Sequence, residues 1–124
     1  MIDETPVAQG KGRYADLLDE LFTDCGQLMW DLSAAEGEFT NYAFLRRVTQ
    51  RHQGPYVRLL ALVLHERGDA YLFNLAHQDI GNRLRTVARQ HGYEQIKNSG
   101  VTEHNIWGDP APAILYRRTD ATHA

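Results

Sequence analysis

From Tyr14 to Leu32 the apolar residues fall on one stripe, Tyr14, Leu17, Leu18, Leu21, Phe22, Cys25, Leu28, Met29 and Leu32. This is the i, i+3, i+4 spacing that buries one side of a helix. Asp16, Asp19, Glu20, Asp24 and Asp31 lie mostly off it, so the pattern predicts a helix over 13–36 with an acidic outer surface, ending near Gly37. Gly26 weakens that helix by about 1 kcal/mol relative to Ala. Residues 1–12 mix Pro6, Gly10 and Gly12 with charges and show no apolar period, which reads as a flexible lead-in.

Thr40 or Asn41 caps a second helix reaching Thr49, with Tyr42, Leu45 and Val48 inward and Arg46 and Arg47 outward. Gln53-Gly54-Pro55 then breaks the chain, and Pro55 suits the first position of a helix from Tyr56 to Arg67. The run Leu59 to Leu64 is apolar on every side, which places that helix centrally, and Gly68 is its stop. Residues 70–76 read as a short helix in preference to a strand. Asp79 is the expected cap of a helix to His91, with Ile80, Leu84, Val87, Ala88 and His91 inside and Gly92 closing it.

Tyr93 to Lys97 and Ala113 to Arg118 have strand composition, and turn residues lie between them at Asn98-Ser99-Gly100 and from Trp107 to Pro112. An antiparallel hairpin with a long connection is the economical reading. The expected fold class is therefore mainly α, an α+β arrangement. A single domain over 13–118 comprises the acidic helix 13–36 and a closing unit over 41–118, and residues 119–124 read as a frayed tail.

Composition admits one globular core. A chain of 124 residues buries about two-thirds of its unfolded surface, and its 43% hydrophobic and 23% charged residues are those of a folding domain. No apolar run reaches the roughly 18 residues of a bilayer span, and the acidic Met1-Ile2-Asp3-Glu4 start is unlike a signal peptide, so no membrane partner and a cytoplasmic location are expected. Cys25 is the single cysteine; it sits on the apolar stripe, where a buried, inert thiol is the default.

Charge is divided unevenly along the chain. Residues 1–39 carry two cations against nine carboxylates, a balance of −7, whereas residues 40–118 carry eleven against six, a balance of +5. Such asymmetry predicts an acidic and a basic face. The six histidines are scattered with no i, i+4 pair, so neither a metal site nor any other cofactor is expected. No paired-carboxylate, Ser-His-Asp, Cys-His or phosphate-loop pattern assembles, which leaves a non-enzymatic protein.

The segment Ile80 to Tyr93, followed by a basic strand and Ile114-Leu115-Tyr116-Arg117-Arg118, resembles the winged-helix or helix-turn-helix modules of phage and plasmid replication or regulatory proteins, over residues 56–118. The resemblance implies Asn82, Arg83, Arg85, Thr86 and Arg89 as groove-facing residues, with Lys97, Arg117 and Arg118 on the wing. Independently of it, Arg85 and Arg89 stand i, i+4 on a helix with Asn82 within two turns. Arg pairs with guanine edges, Asn with adenine edges, and further cations neutralise phosphate.

The expected function is binding of double-stranded DNA, as a regulatory or accessory protein of a phage or mobile element, in a homodimer if the first helix pairs with its twin. The alternative is a small protein-binding inhibitor or adaptor of the anti-CRISPR kind. It would present Asp16, Asp19, Glu20 and Asp24 to a basic partner, with Trp107 either anchoring its loop or standing exposed for contact. Trp30, beside the main stripe, carries a similar ambiguity.

Overall fold

The computed structural model describes residues 6–97 and 99–119, with side chains from Arg13 onward. Residues 1–5 of the expected lead-in, Asn98 and the tail from Asp120 lie outside the described residues.

The first apolar stripe forms two helices rather than one, α1 (Pro6–Leu21) and α2 (Cys25–Leu32). The break has a local cause: Thr23 turns its hydroxyl back onto the carbonyls of Asp19 and Glu20, at 3.2 and 2.9 Å, the back-bonding by which Thr competes with helix continuation. Leu17, Leu18, Leu21, Phe22, Cys25, Leu28 and Met29 are all buried in the chain's own core. The apolar period runs straight across the kink, so it could not reveal it. Helix α1 also starts at Pro6, within the stretch expected to be a flexible lead-in, and proline is at home at a first helical position. Gly26 has a packing role, because a Cβ there would stand 2.9 Å from the His91 ring.

Strand β1 (Glu38–Thr40) follows, then α3 (Asn41–Arg51), whose cap Thr40 accepts the Ala43 amide at 3.1 Å. Helix α4 (Gln53–Arg67) starts earlier than expected, so Pro55 is its third residue. It is also not central. Leu59 and Val63 are buried in a helix whose main neighbours are α1 and α5, while Val57 and Leu64 are exposed. Gly68 ends it with φ +79°, as its position implied.

The ambiguous segment and the expected capped helix are one element, α5 (Leu72–Gln90). Asp79 is therefore not a cap; it lies within the helix, where its carboxylate accepts the Tyr14 hydroxyl. Ala76 is fully buried and continues the Ile80–Leu84–Ala88 stripe backward, which is why the helix extends so far. His91, expected inside, is exposed, with its Nδ1 2.9 Å from the Val87 carbonyl.

Strand β2 (Tyr93–Ile96) pairs antiparallel with β5 (Leu115–Arg118), giving the expected hairpin partners. The connection between them holds a second hairpin, β3 (Thr102–His104) and β4 (Pro110–Pro112). Strand β1 pairs with the other edge of β5, so the main sheet has three strands in the order β1-β5-β2. Phe39, Tyr93 and Tyr116 share its inner face, Phe39 meeting Tyr93 edge-to-face at 5.2 Å and stacking on Tyr116 at 5.4 Å. Phe44 and then Phe22 carry the stack into the helices.

The orientation of α4 is directly testable. Leu59→Ala should cost about 2–5 kcal/mol in urea unfolding, whereas Leu64→Ala, at a residue 48% exposed, should cost under about 0.5 kcal/mol. Equal losses at the two positions would contradict the outward placement.

Candidate nucleic-acid interface

Because α5 is long and packs through one side only, its other side is a solvent-facing stripe. Asn74, Gln78, Asn82, Arg85 and Arg89 are all exposed and follow one another at four, four, three and four residues, the helical period. Thr86 is exposed beside them. Asn74 and Gln78 were missed from sequence because Asp79 read as a cap; the same spacing carried back past it would have found them.

The C-terminal end of the stripe meets the sheet. Arg85, Arg89 and Lys97 gather with Tyr93, Gln95 and Tyr116 around an open depression of about 420 Å³. Glu94 is the one carboxylate on its rim. Burial pushes the Tyr116 hydroxyl's pKa up, and the Arg85 charge beside it draws it partly back. Neither Arg85 nor Arg89 has a carboxylate partner among the described residues.

The remaining cations expected at the interface are elsewhere. Arg83, expected to face a groove, has only 30% of its side chain exposed. It is paired with Asp19 of α1, and its guanidinium lies 5.9 Å from the Phe22 ring centroid. Arg117 projects from the opposite face of the sheet to Tyr116 and meets Glu38, its neighbour in register, at 3.1 Å. Arg118 donates to the Ser33 carbonyl and hydroxyl at 2.8 and 2.9 Å and lies 4.3 Å over the Trp30 ring. It is a core clamp rather than a wing cation, and Ser33 itself is buried against the Tyr93 hydroxyl at 2.7 Å. The connection expected as a wing is also docked: Glu103 of β3 accepts from Thr40 at 2.7 Å and from Arg46 at 3.2 Å.

The acidic surface is largely engaged by the chain's own cations. Asp19 pairs with Arg83, Glu20 meets Arg58 at 3.4 Å, and Asp24 holds Arg51 together with His52 at 2.7 Å. Burial works against the Asp24 charge, but those two hydrogen-bonded partners outweigh it and keep its pKa below the ordinary value. Asp16 is exposed. Cys25 is buried, and desolvation raises its thiol pKa, which opposes reactivity. Among the described residues no three His, Cys, Asp or Glu side chains group as they would around a metal ion, and no helix is long and apolar enough to cross a membrane.

Two polar pairs fix α5 from behind. Tyr14 donates to Asp79, and burial followed by that carboxylate pushes the phenol's pKa well up. Tyr56 of α4 places its hydroxyl 2.6 Å from His77 Nε2, with the two rings stacked at 5.8 Å. Burial lowers the His77 pKa to about 4 from 6.5, so the ring is neutral at neutral pH and can accept the Tyr56 proton.

The His77 shift sets a pH window. Between pH 6.5 and about 4 the unfolded chain takes up a proton that the folded chain refuses, so stability should fall on acidification through that interval. The loss measured by urea unfolding should approach about 3 kcal/mol at most, and His77→Gln should remove it. What then remains is the loss at Asp24, whose ordinary pKa is 3.8 and whose folded value is lower, so it falls in more acidic solution. An unaltered pH dependence in the His77→Gln protein would show that the ring titrates freely in the fold.

Comparison with known proteins finds no matching family model, no matching curated protein and no matching solved structure.

Proposed function

We propose that this protein is a non-enzymatic DNA-binding module of winged-helix type, presenting the C-terminal half of the outer stripe of α5, from Asn82 to Arg89, to the major groove of a duplex. The observation that carries the reading is the convergence of Arg85, Arg89 and Lys97 where α5 meets β2, in line with Asn82 and Thr86 on the same exposed side. The Asn82 amide on that helix edge suits a base edge, and the guanidinium groups of Arg85 and Arg89 with the Lys97 ammonium suit phosphate.

The connectivity supports the same reading. A helix that turns through Gly92 directly into a strand, whose partner strand is the last among the described residues and the centre of the sheet, follows the order helix, strand, connection, strand. Lys97, at the root of that connection, is the wing cation of this reading; Arg117 and Arg118 are withdrawn from it by Glu38 and Ser33. A regulatory or accessory role, as in a phage or mobile element, fits a small module in which no catalytic group is assembled among the described residues. The protein-binding alternative has less support, since Asp19, Glu20 and Asp24 are each engaged by a cation of the same chain.

Fluorescence anisotropy with duplex DNA across a salt series tests the proposal. Affinity should fall steeply with salt, and Arg85→Glu with Arg89→Glu should reduce binding by more than about tenfold while flattening the logarithmic salt slope by about two, close to one per phosphate contact removed. Arg117→Ala, on the opposite face, should leave affinity within about twofold, the level of an ordinary surface change. Absence of duplex binding at low salt would remove the reading.

A further inference from the structure

Upstream of the cationic depression, the same side of α5 borders a second cavity of different chemistry. It measures about 280 Å³, close to the roughly 300 Å³ at which small-molecule sites begin, which is room for one ring system. Its walls are α3, the first half of α5 and the turn between β3 and β4. No Asp, Glu, Lys or Arg lines it. The lining used here is aromatic and amide: Tyr42, Phe73 and Trp107, with Asn74, Gln78 and the neutral His77.

Trp107 is 59% exposed yet held in place. Asn105 Oδ1 accepts the amides of Trp107 and Asp109 at 2.9 and 3.0 Å, and the indole meets Phe73 edge-on at 5.9 Å and 86°. An exposed indole carried on an anchored turn is a ready stacking platform. Asn74 and Gln78 stand one turn apart on the exposed side and make no hydrogen bond among the described residues. An anion or a cation would find no counter-charge in such a groove. A flat neutral ring with alternating donors and acceptors along its edge would find both stacking faces and paired amides.

We propose that this groove receives a single unpaired nucleobase, adenine being preferred by the amides, while the phosphates of the same strand continue along α5 towards Arg85 and Arg89. Gln78 and Arg85 are seven residues apart. That is about 10 Å of helix at ~1.5 Å per residue, or about three steps of a stacked strand at ~3.4 Å. The phosphate path rests on the DNA-binding reading above; the base site itself does not, because it contains no cation.

In a Trp30→Phe background Trp107 is the remaining indole, and its fluorescence reports on the groove. Adenosine should quench it saturably, and deoxyribose and a neutral disaccharide should not. A short oligo(dA) should bind about tenfold more tightly than the same strand made of abasic sites, the worth of one stacked base. Asn74→Ala with Gln78→Ala should narrow that gap and remove the preference for oligo(dA) over oligo(dT), without lowering the thermal midpoint. Arg85→Glu with Arg89→Glu should weaken the oligonucleotide but leave adenosine quenching intact, so failure of the cationic surface and failure of the base site give different results. Equal binding of abasic and intact strands, or quenching by the disaccharide and not by adenosine, overturns the proposal.

Discussion

The ring of Phe39 is the contact on which the rest of the molecule depends. It sits in a strand of three residues at the sheet edge, and the few ladder hydrogen bonds of such a strand contribute only about 1 kcal/mol each. Its burial does the larger part: the ring touches Tyr93 and Tyr116 across the sheet and Phe44 in α3. By drawing β1 onto β5, that cluster makes β5 a central strand and closes the sheet over the helices. The polar layer beneath it, Ser33 with Tyr93 and Arg118, gives the Ser33 and Tyr93 hydroxyls the partners that burial requires. The position of β2, and so of the junction where α5 delivers its arginines, follows from that closure.

Electrostatics is resolved by the same folding. The acidic N-terminal third and the cationic remainder meet across the helices, as Asp19 with Arg83, Glu20 with Arg58, Asp24 with Arg51 and His52, and Glu38 with Arg117. A charge reversal along the sequence thus becomes mutual neutralisation across the fold. Exposed pairs of this kind contribute little each to stability, but they decide which cations are available. Arg85, Arg89 and Lys97 are left together where α5 meets the sheet, and their field is local rather than a property of half the chain.

What the sequence shows of this protein is what local spacing can encode. The Tyr14 to Leu32 stripe, the Thr40 cap, the Gly68 stop and the two strands flanking the long connection each rest on residues close together in the chain. The Thr23 break escapes because the apolar period crosses it without interruption. The outward face of α4 escapes because an all-apolar run has no direction until its partners choose one, and here packing by α1 and α5 leaves Leu59 and Val63 buried and Val57 and Leu64 exposed. Strand β1 and the roles of Arg117 and Arg118 depend on partners up to 85 residues away. For the candidate interface, Arg85 and Arg89 were legible from their i, i+4 spacing, whereas the capture of Arg83 by Asp19 was not, being a contact between helices 64 residues apart in sequence.

The direction in which the α5 stripe points is a separate problem from the existence of the helix. Apolar burial is non-directional, and Ala76, Ile80, Leu84 and Ala88 would remain buried through a modest roll about the helix axis. Successive residues are about 100° apart around that axis, so even a fraction of one residue's rotation would carry Arg85 and Arg89 away from Lys97. Hydrogen bonds and ion pairs are directional, and α5 has three on its inner side: His77 to Tyr56 of α4, and Asp79 and Arg83 to Tyr14 and Asp19 of α1. Spread over two turns and two partner helices, they fix the roll that packing alone would leave soft. On this view Arg83 serves the candidate interface without belonging to it, because its pairing sets the angle at which its exposed neighbours are presented.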